Sequence, residues 1–214
     1  MTTEGAVAVR PKNDAADDNA KRRQIMDGAR AVFLAQGFDA ASMGEVARAA
    51  GVSKGTLYVY FENKEHLFEE ILLEQCRAQA ESLFDLDASD RDVEGVLTRL
   101  GISYVQFICQ PAKVSPLRTV IAIADRMPEI GKNFYETGPS WGIAMLTAYI
   151  KAQVDAGVLA VEDCEVAAAQ FLDSCQATMF KPVLFNFSPP APTERIEHVV
   201  RIAVRTFLAA YGPR

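Results

Sequence analysis

The chain has 214 residues, half of them hydrophobic and 23% charged, with a net charge of −6. That balance suits a soluble globular protein large enough for one big or two small cores. No apolar run reaches the roughly 18 residues of a membrane span, and the N-terminus lacks a cationic-then-apolar secretion signal, so a cytoplasmic address is expected. Residues 1–19 are polar, small and aperiodic, which predicts a disordered tail. A first helix is expected over KRRQIMDGARAVFLAQGF, with Gly37-Phe38 closing it. Gly28 sits in its interior at a cost of roughly 1 kcal/mol relative to Ala, which points to close packing there.

Residues 42–64 carry the strongest signal. Ser42 followed three residues later by Glu45 is a capping box, so a helix starts at Met43. Val46, Ala47 and Ala50 share one face, and Ala47 is small enough for a second helix to approach. Gly51 ends this helix, Val52 is an apolar plug, and Ser53 caps a short helix from Lys54 to Phe61. Two helices joined by a short Gly-containing turn form the arrangement that enters the DNA major groove. Leu57 and Phe61, four apart, anchor the second helix inward. Its outer side offers Lys54 as a cation for phosphate and Gly55 for close backbone approach. Thr56, Tyr58 and Tyr60 add hydroxyls, and Val59 suits thymine methyls. Asn63 caps the next helix. Lys64 in its first turn opposes the helix dipole, which hints at an anionic partner.

Charge is distributed to match. Residues 21–65 hold seven Lys or Arg against five acids, a net +2, which leaves −8 for the remainder of the chain. A basic head on an acidic body fits contact with DNA at one end. The triplet Lys21-Arg22-Arg23 has two readings: a solvated helix end, or a contact to backbone or minor groove beside the reading helix.

The run Ser42, Ala47, Ala50-Gly51-Val52-Ser53, Gly55-Thr56-Leu57-Tyr58-Val59-Tyr60-Phe61 and Asn63-Lys64-Glu65-His66-Leu67 resembles the DNA-binding domain of the TetR family of bacterial transcriptional repressors. The preceding helix is similar as well, through Ile25, Ala29, Val32, Phe33 and Gly37-Phe38. The resemblance implies phosphate contacts from Ser42, Thr56, Tyr60 and Lys64, and base-edge contacts near Lys54, Gly55 and Tyr58. Arg23 and Ser53 complete the candidate DNA-binding set. The expected fold is all-α, with a helix-turn-helix domain over 20–66 and a larger helical effector-binding and dimerisation domain over 67–214.

From Lys64 onward no segment sustains strand alternation. A long helix is expected from Asn63 to about Phe84, with Leu67, Ile71, Cys76 and Leu83 inward. Ser89 with Asp92 caps a helix to about Cys109, stopped by Pro111. Pro116 opens LRTVIAIADRM, apolar enough to be buried throughout. Pro128 starts PEIGKNFYETG, and Gly138-Pro139 breaks it. SWGIAMLTAYIKAQVDAG ends at Gly157, one helix covers Glu162 to Leu184, and the last runs from Thr193 to Tyr211, ending at Gly212-Pro213.

On the last two long helices, Ala168 and Phe171 with Ile196, Val199, Val200, Ala203 and Phe207 recur at three-four spacing. Such stripes are ordinarily core. The family resemblance implies instead that these helices pair with those of a second subunit in a homodimer, which would also supply the second half-site of a palindromic operator. The central helices resemble the C-terminal domain of the AcrR- and AefR-type branches. Phe107, Met127, Phe134, Tyr135, Trp141, Met145 and Phe171, with Cys175 beside them, make either core or an apolar effector pocket there, and Arg118, Arg126, Tyr135 and Gln176 are at hand as polar groups. An effector favouring a conformation unsuited to DNA would release the operator, with the helix from Lys64 transmitting the change. Cys76, Cys109, Cys164 and Cys175 have no metal-ligand spacing. Cys164 and Cys175 share a helix face, so a redox pair is the alternative to plain buried thiols. No catalytic motif is present and no cofactor is expected.

Overall fold

The structure, a computed structural model, describes residues 12–212, and every regular element among them is helical. Contacts divide the chain into two units, with the boundary after Ile71. No helix among the described residues is long and apolar enough to cross a membrane.

The first unit is built from α1 (Lys12–Ala40), α2 (Met43–Ala49), α3 (Lys54–Tyr60) and the start of α4 (Lys64–Leu83). The tail expected over 1–19 lies outside the described residues as far as 11, whereas 12–19 belong to α1. Ala15, Ala16 and Ala20 favour helix, and a hydrogen bond from Tyr60 holds Asp18. α1 is interrupted at Gly37 (φ 79°, ψ 170°), a backbone conformation that glycine adopts without a steric penalty. The capping box at Ser42 is present in both directions, and Gly51 turns the chain at φ 65°. Ile25, Ala29, Val46, Ala47, Leu57, Phe61, Leu67 and Ile71 form one core. Burying each large apolar side chain contributes about 1.5–3 kcal/mol. Gly28 is where α1 and α2 meet: a β-carbon there would lie 2.7 Å from the Ala50 Cα. Phe33, Phe38 and Phe68 close the far end of this core, with ring centroids 4.9 to 5.9 Å apart.

The second unit contains α5 (Val93–Ile108), α6 (Pro111–Ile123), α7 (Pro128–Tyr135), α8 (Trp141–Asp155), α9 (Cys164–Cys175), α10 (Phe180–Leu184) and α11 (Thr193–Tyr211). α9 packs against α5, α8 and α11, and α11 also packs against α5. Leu97, Leu146, Ile150, Ala167, Ala168, Cys175 and Val200 at the centre of this packing are fully buried. The buried Gln153 is satisfied. Its Nε2 donates to the Ala88 carbonyl at 3.1 Å, and its Oε1 accepts from Arg91 at 2.9 Å. Tyr149 donates to the Asp90 carbonyl, so two side chains of α8 hold the loop before α5.

Several boundaries differ from the sequence expectation, most of them through proline. The cap of α5 is Asp92, which accepts from the Gly95 amide; Ser89 bonds Asp87 instead. α6 begins at Pro111 and takes Pro116 into its interior. Its apolar run is not buried throughout, since Ile121 is exposed while Val120 and Ile123 are buried. Gly138-Pro139 does not break the chain: a π turn over Glu136–Ser140 joins α7 to α8. Pro139 has no N–H to give to the Tyr135 carbonyl and its ring would crowd that oxygen, and the wider turn accommodates both. The single helix expected from Glu162 to Leu184 is two helices, parted at Thr178 with φ 65°. Pro182 would collide with the Thr178 carbonyl in a continuous helix.

Candidate nucleic-acid interface

The inner side of α3 is fixed by Leu57 and Phe61, both fully buried, so its outer side is presented in one orientation. Tyr58 is 54% exposed and Val59 81% exposed. Gly55 is also exposed, and a β-carbon there would meet nothing nearer than Ser53 Oγ at 3.7 Å. Internal packing therefore gives no reason for glycine at that position. Lys54 extends across Gly44 of α2, with its Cε 3.0 Å from where a β-carbon would stand.

Other candidate DNA contacts are engaged inside the unit. The Ser42 hydroxyl donates to Glu45 Oε2 at 2.7 Å, and this bond with the Ser42 amide holds the Glu45 carboxyl below its ordinary range. Ser53 Oγ accepts from the Thr56 amide at 3.0 Å and lies 2.8 Å from the Thr56 hydroxyl. Tyr60 donates to Asp18 Oδ1 at 2.7 Å. Lys64 Nζ donates to the carbonyls of Phe38 (2.8 Å) and Asp39 (3.2 Å) and stands 4.4 Å from the Phe38 ring centre. Lys64 thus satisfies carbonyls at the end of α1, which explains a cation in the first turn of α4 without invoking phosphate. Of the cationic triplet, Arg22 is turned inward: it bonds Glu70 and lies over the Phe61 ring at 4.7 Å. Lys21 donates to Gln24. Arg23 is exposed and lines an open groove of about 680 Å³ with Gln24, Asp27, Gly28, Ala49 and Ala50. Spacing alone gives no sign of the Asp18, Phe38 and Glu70 contacts, because they join residues 26 to 48 apart.

In the second unit the residues expected at a dimer interface are placed otherwise. Ala168, Phe171, Ile196, Val199, Val200, Ala203 and Phe207 are all buried within the chain itself. The apolar stripe of each helix makes the core of the chain itself. The outward sides of α9 and α11 carry Val166 (47% exposed) and Ile202 (41% exposed), two residues not singled out from sequence.

The candidate pocket residues do not act as one set. Phe171 and Cys175 are core. Arg118 donates from Nε and Nη2 to the carbonyls of Leu184 and Val183, both at 2.7 Å, and so closes α10. Gln176 caps α9 and donates to Asp173. Tyr135 and Arg126 are exposed, while Phe107, Met127, Phe134 and Met145 are half-buried, and Lys113 stands over the Phe107 ring. Trp141 belongs to an aromatic cluster in which Phe84 meets it edge-on at 6.2 Å and meets Tyr104 at 6.4 Å. Burial first, then Asp173 and the thiols of Cys175 and Cys109, pushes the Tyr104 phenol well above its ordinary range. Phe84 and Tyr104 were missed in the sequence, where nothing separates them from other helix aromatics. Cys164 and Cys175 stand at opposite ends of α9. At 1.5 Å per residue they are about 16 Å apart, more than twice the reach of a disulfide. They are not a redox pair.

Residues 25–71 match the family of bacterial regulatory proteins named for TetR, and residues 95–213 match the C-terminal domain of AefR-like transcriptional repressors. Among curated proteins, the HTH-type transcriptional regulator AcrR of Shigella flexneri is 46% identical over 50 residues, which is 23% of this chain and 23% of that protein. The HTH-type regulator YhgD of Bacillus subtilis is 37% identical over 68 residues, 30% of this chain and 36% of that one. The matched part thus spans about a quarter to a third of these relatives. Solved structures align over nearly their whole length. A TetR-family transcriptional regulator from Mesorhizobium loti has a TM-score of 0.83 and 30% identity, covering 91% of this chain and 98% of that one. The flavonoid-responsive regulator FrrA has a TM-score of 0.76 and 32% identity, covering 92% and 99%.

Proposed function

The chain belongs to the TetR family of bacterial transcriptional regulators, and on that premise we propose that it represses transcription by binding a palindromic operator as a homodimer. The observation that carries this reading is the outer side of α3. Gly55, Tyr58 and Val59 face solvent on a helix locked from behind by Leu57 and Phe61. Tyr58 offers a hydroxyl for base edges or phosphate, Val59 a surface for thymine methyls, and Gly55 room for the duplex backbone.

One short helix covers few bases, so a two-fold partner about 34–36 Å away supplies the second half-site. Val166 on α9 and Ile202 on α11 are the apolar residues available for that pairing. A small, largely apolar effector releases the operator by favouring a conformation that cannot seat both reading helices. The flavonoid response of FrrA supports a planar aromatic effector. Tyr104, whose ring packs against Phe84, which in turn meets Trp141 edge-on, is the polar group we assign to orienting it.

Fluorescence-anisotropy titration at one fixed salt concentration, against duplex from upstream of the protein's own gene and against random duplex, tests the reading. A preference for the upstream duplex with two subunits per palindrome is the expected result. No preference over random duplex, either for the upstream duplex or for any fragment selected genome-wide, would overturn it.

A further inference from the structure

Tyr60 ends the reading helix, and its hydroxyl is already occupied by an anion. It donates to Asp18 Oδ1 at 2.7 Å, and Asp17 adds a second negative charge nearby. Asp17 and Asp18 are both exposed on α1, so solvent could satisfy either carboxylate without the tyrosine. Lys21, one turn further on, donates to Gln24. An acidic pair thus stands beside a face otherwise fitted for DNA, where Arg23 and Lys54 are exposed. To a phenol, a carboxylate and a phosphodiester look alike: each offers a charged oxygen that accepts a short hydrogen bond of about 2.7 Å.

We propose that Asp18 stands in for a DNA phosphate on Tyr60 in the free protein, so that binding a duplex exchanges one anion for the other. Asp18 thereby lowers affinity for duplex of every sequence, because the contact it occupies is to the backbone and carries no base information. This inference rests on the DNA-binding reading above. It differs from a purely structural role for Asp18, in which the tyrosine merely ties the early turns of α1 to α3.

The test uses the full chain and a random-sequence duplex, with anisotropy measured at one fixed salt concentration. Asp18→Asn keeps an acceptor for Tyr60 and removes the charge, whereas Asp18→Ala removes both. Each is expected to tighten binding about tenfold. Tyr60→Phe weakens binding by itself, and in that background the gain from either Asp18 variant should shrink to about twofold, since no hydroxyl remains to exchange. Unchanged or weaker binding in Asp18→Ala would show a strut and overturn the proposal. An equal gain with and without Tyr60→Phe would also overturn it, in favour of a general charge effect. If the unmodified protein binds no duplex at all, the regulator reading falls and this inference with it. Normal binding that ignores Asp18 sinks the exchange alone.

Discussion

Replacing Gly28 by alanine sets two effects of known sign against each other. In a helix interior free of crowding, alanine stabilises relative to glycine by about 0.5–1 kcal/mol. Here the new β-carbon would lie 2.7 Å from both N and Cα of Ala50 and 2.8 Å from its Cβ. Carbon atoms pack at about 3.5–4.0 Å, so the two helices must part by close to an ångström. The obstacle is backbone and cannot turn aside as a side chain would. It is held, moreover, by Gln24, whose Nε2 donates to the Ala50 carbonyl at 2.7 Å. Overpacking of this kind costs about 1–3 kcal/mol, so the net expectation for Gly28→Ala is a loss of about 1–2 kcal/mol. Urea unfolding followed by far-ultraviolet circular dichroism reads it directly. Because α2 carries the turn into α3, affinity for duplex should fall as well. A variant more stable than the parent would refute the claimed contact, since only the propensity gain would then remain.

Leu57→Ala should cost about 2–5 kcal/mol in the same assay and abolish DNA binding, because a fully buried anchor leaves a cavity behind the reading helix. Lys64→Ala should lower stability by about 1–2 kcal/mol through loss of its bonds to Phe38 and Asp39; unchanged stability with weakened DNA binding would return Lys64 to a phosphate role. Burial pushes the Cys175 thiol from 9.0 up to about 12, so in the native state it should resist alkylation at about pH 8 while the half-exposed Cys164 reacts. The unfolded chain loses that proton first, so stability attributable to Cys175 is complete below about pH 9 and declines toward 12. Cys175→Ala should flatten that alkaline decline as measured by urea midpoints. Tyr149, raised to about 12 chiefly by burial, adds to the same slope.

What the sequence made legible was local. The Ser42–Glu45 box, the Ser53 cap, the Gly51 turn and the Leu57–Phe61 pair are all set within four residues, and each stands where its spacing placed it. Contacts that choose between two chemically reasonable uses of a residue were not legible. Lys64 and Tyr60 have the right chemistry for phosphate, and nothing nearby in sequence shows that distant residues on α1 engage them. The stripes on α9 and α11 show a related limit. Periodicity identifies an apolar face but not what covers it, so Val200 and Ile202 look equally suited to core or interface until α5 is seen packed against one of them. Prolines misled in a third way: at Pro116, Pro139 and Pro182 the chain respectively absorbs the residue, widens a turn, or breaks four residues earlier.

The π turn at Glu136–Ser140 also changes the phase of everything that follows it. At about 100° per residue, an unbroken α-helix would place the buried Gly142, Leu146, Tyr149, Ile150 and Gln153 about 100–200° around the rod from Ile130, on its far side. The one additional residue held in the wide turn sets α8 back by about 100°, which brings those five to within about 0–100° of Ile130. Two helices that would otherwise show opposite sides thus show the same one. The junction therefore works as a fixed rotational offset between α7 and α8. Its length matters more than its composition, because losing a single residue would swing Ile130 about a quarter-turn out of line with the stripe on α8.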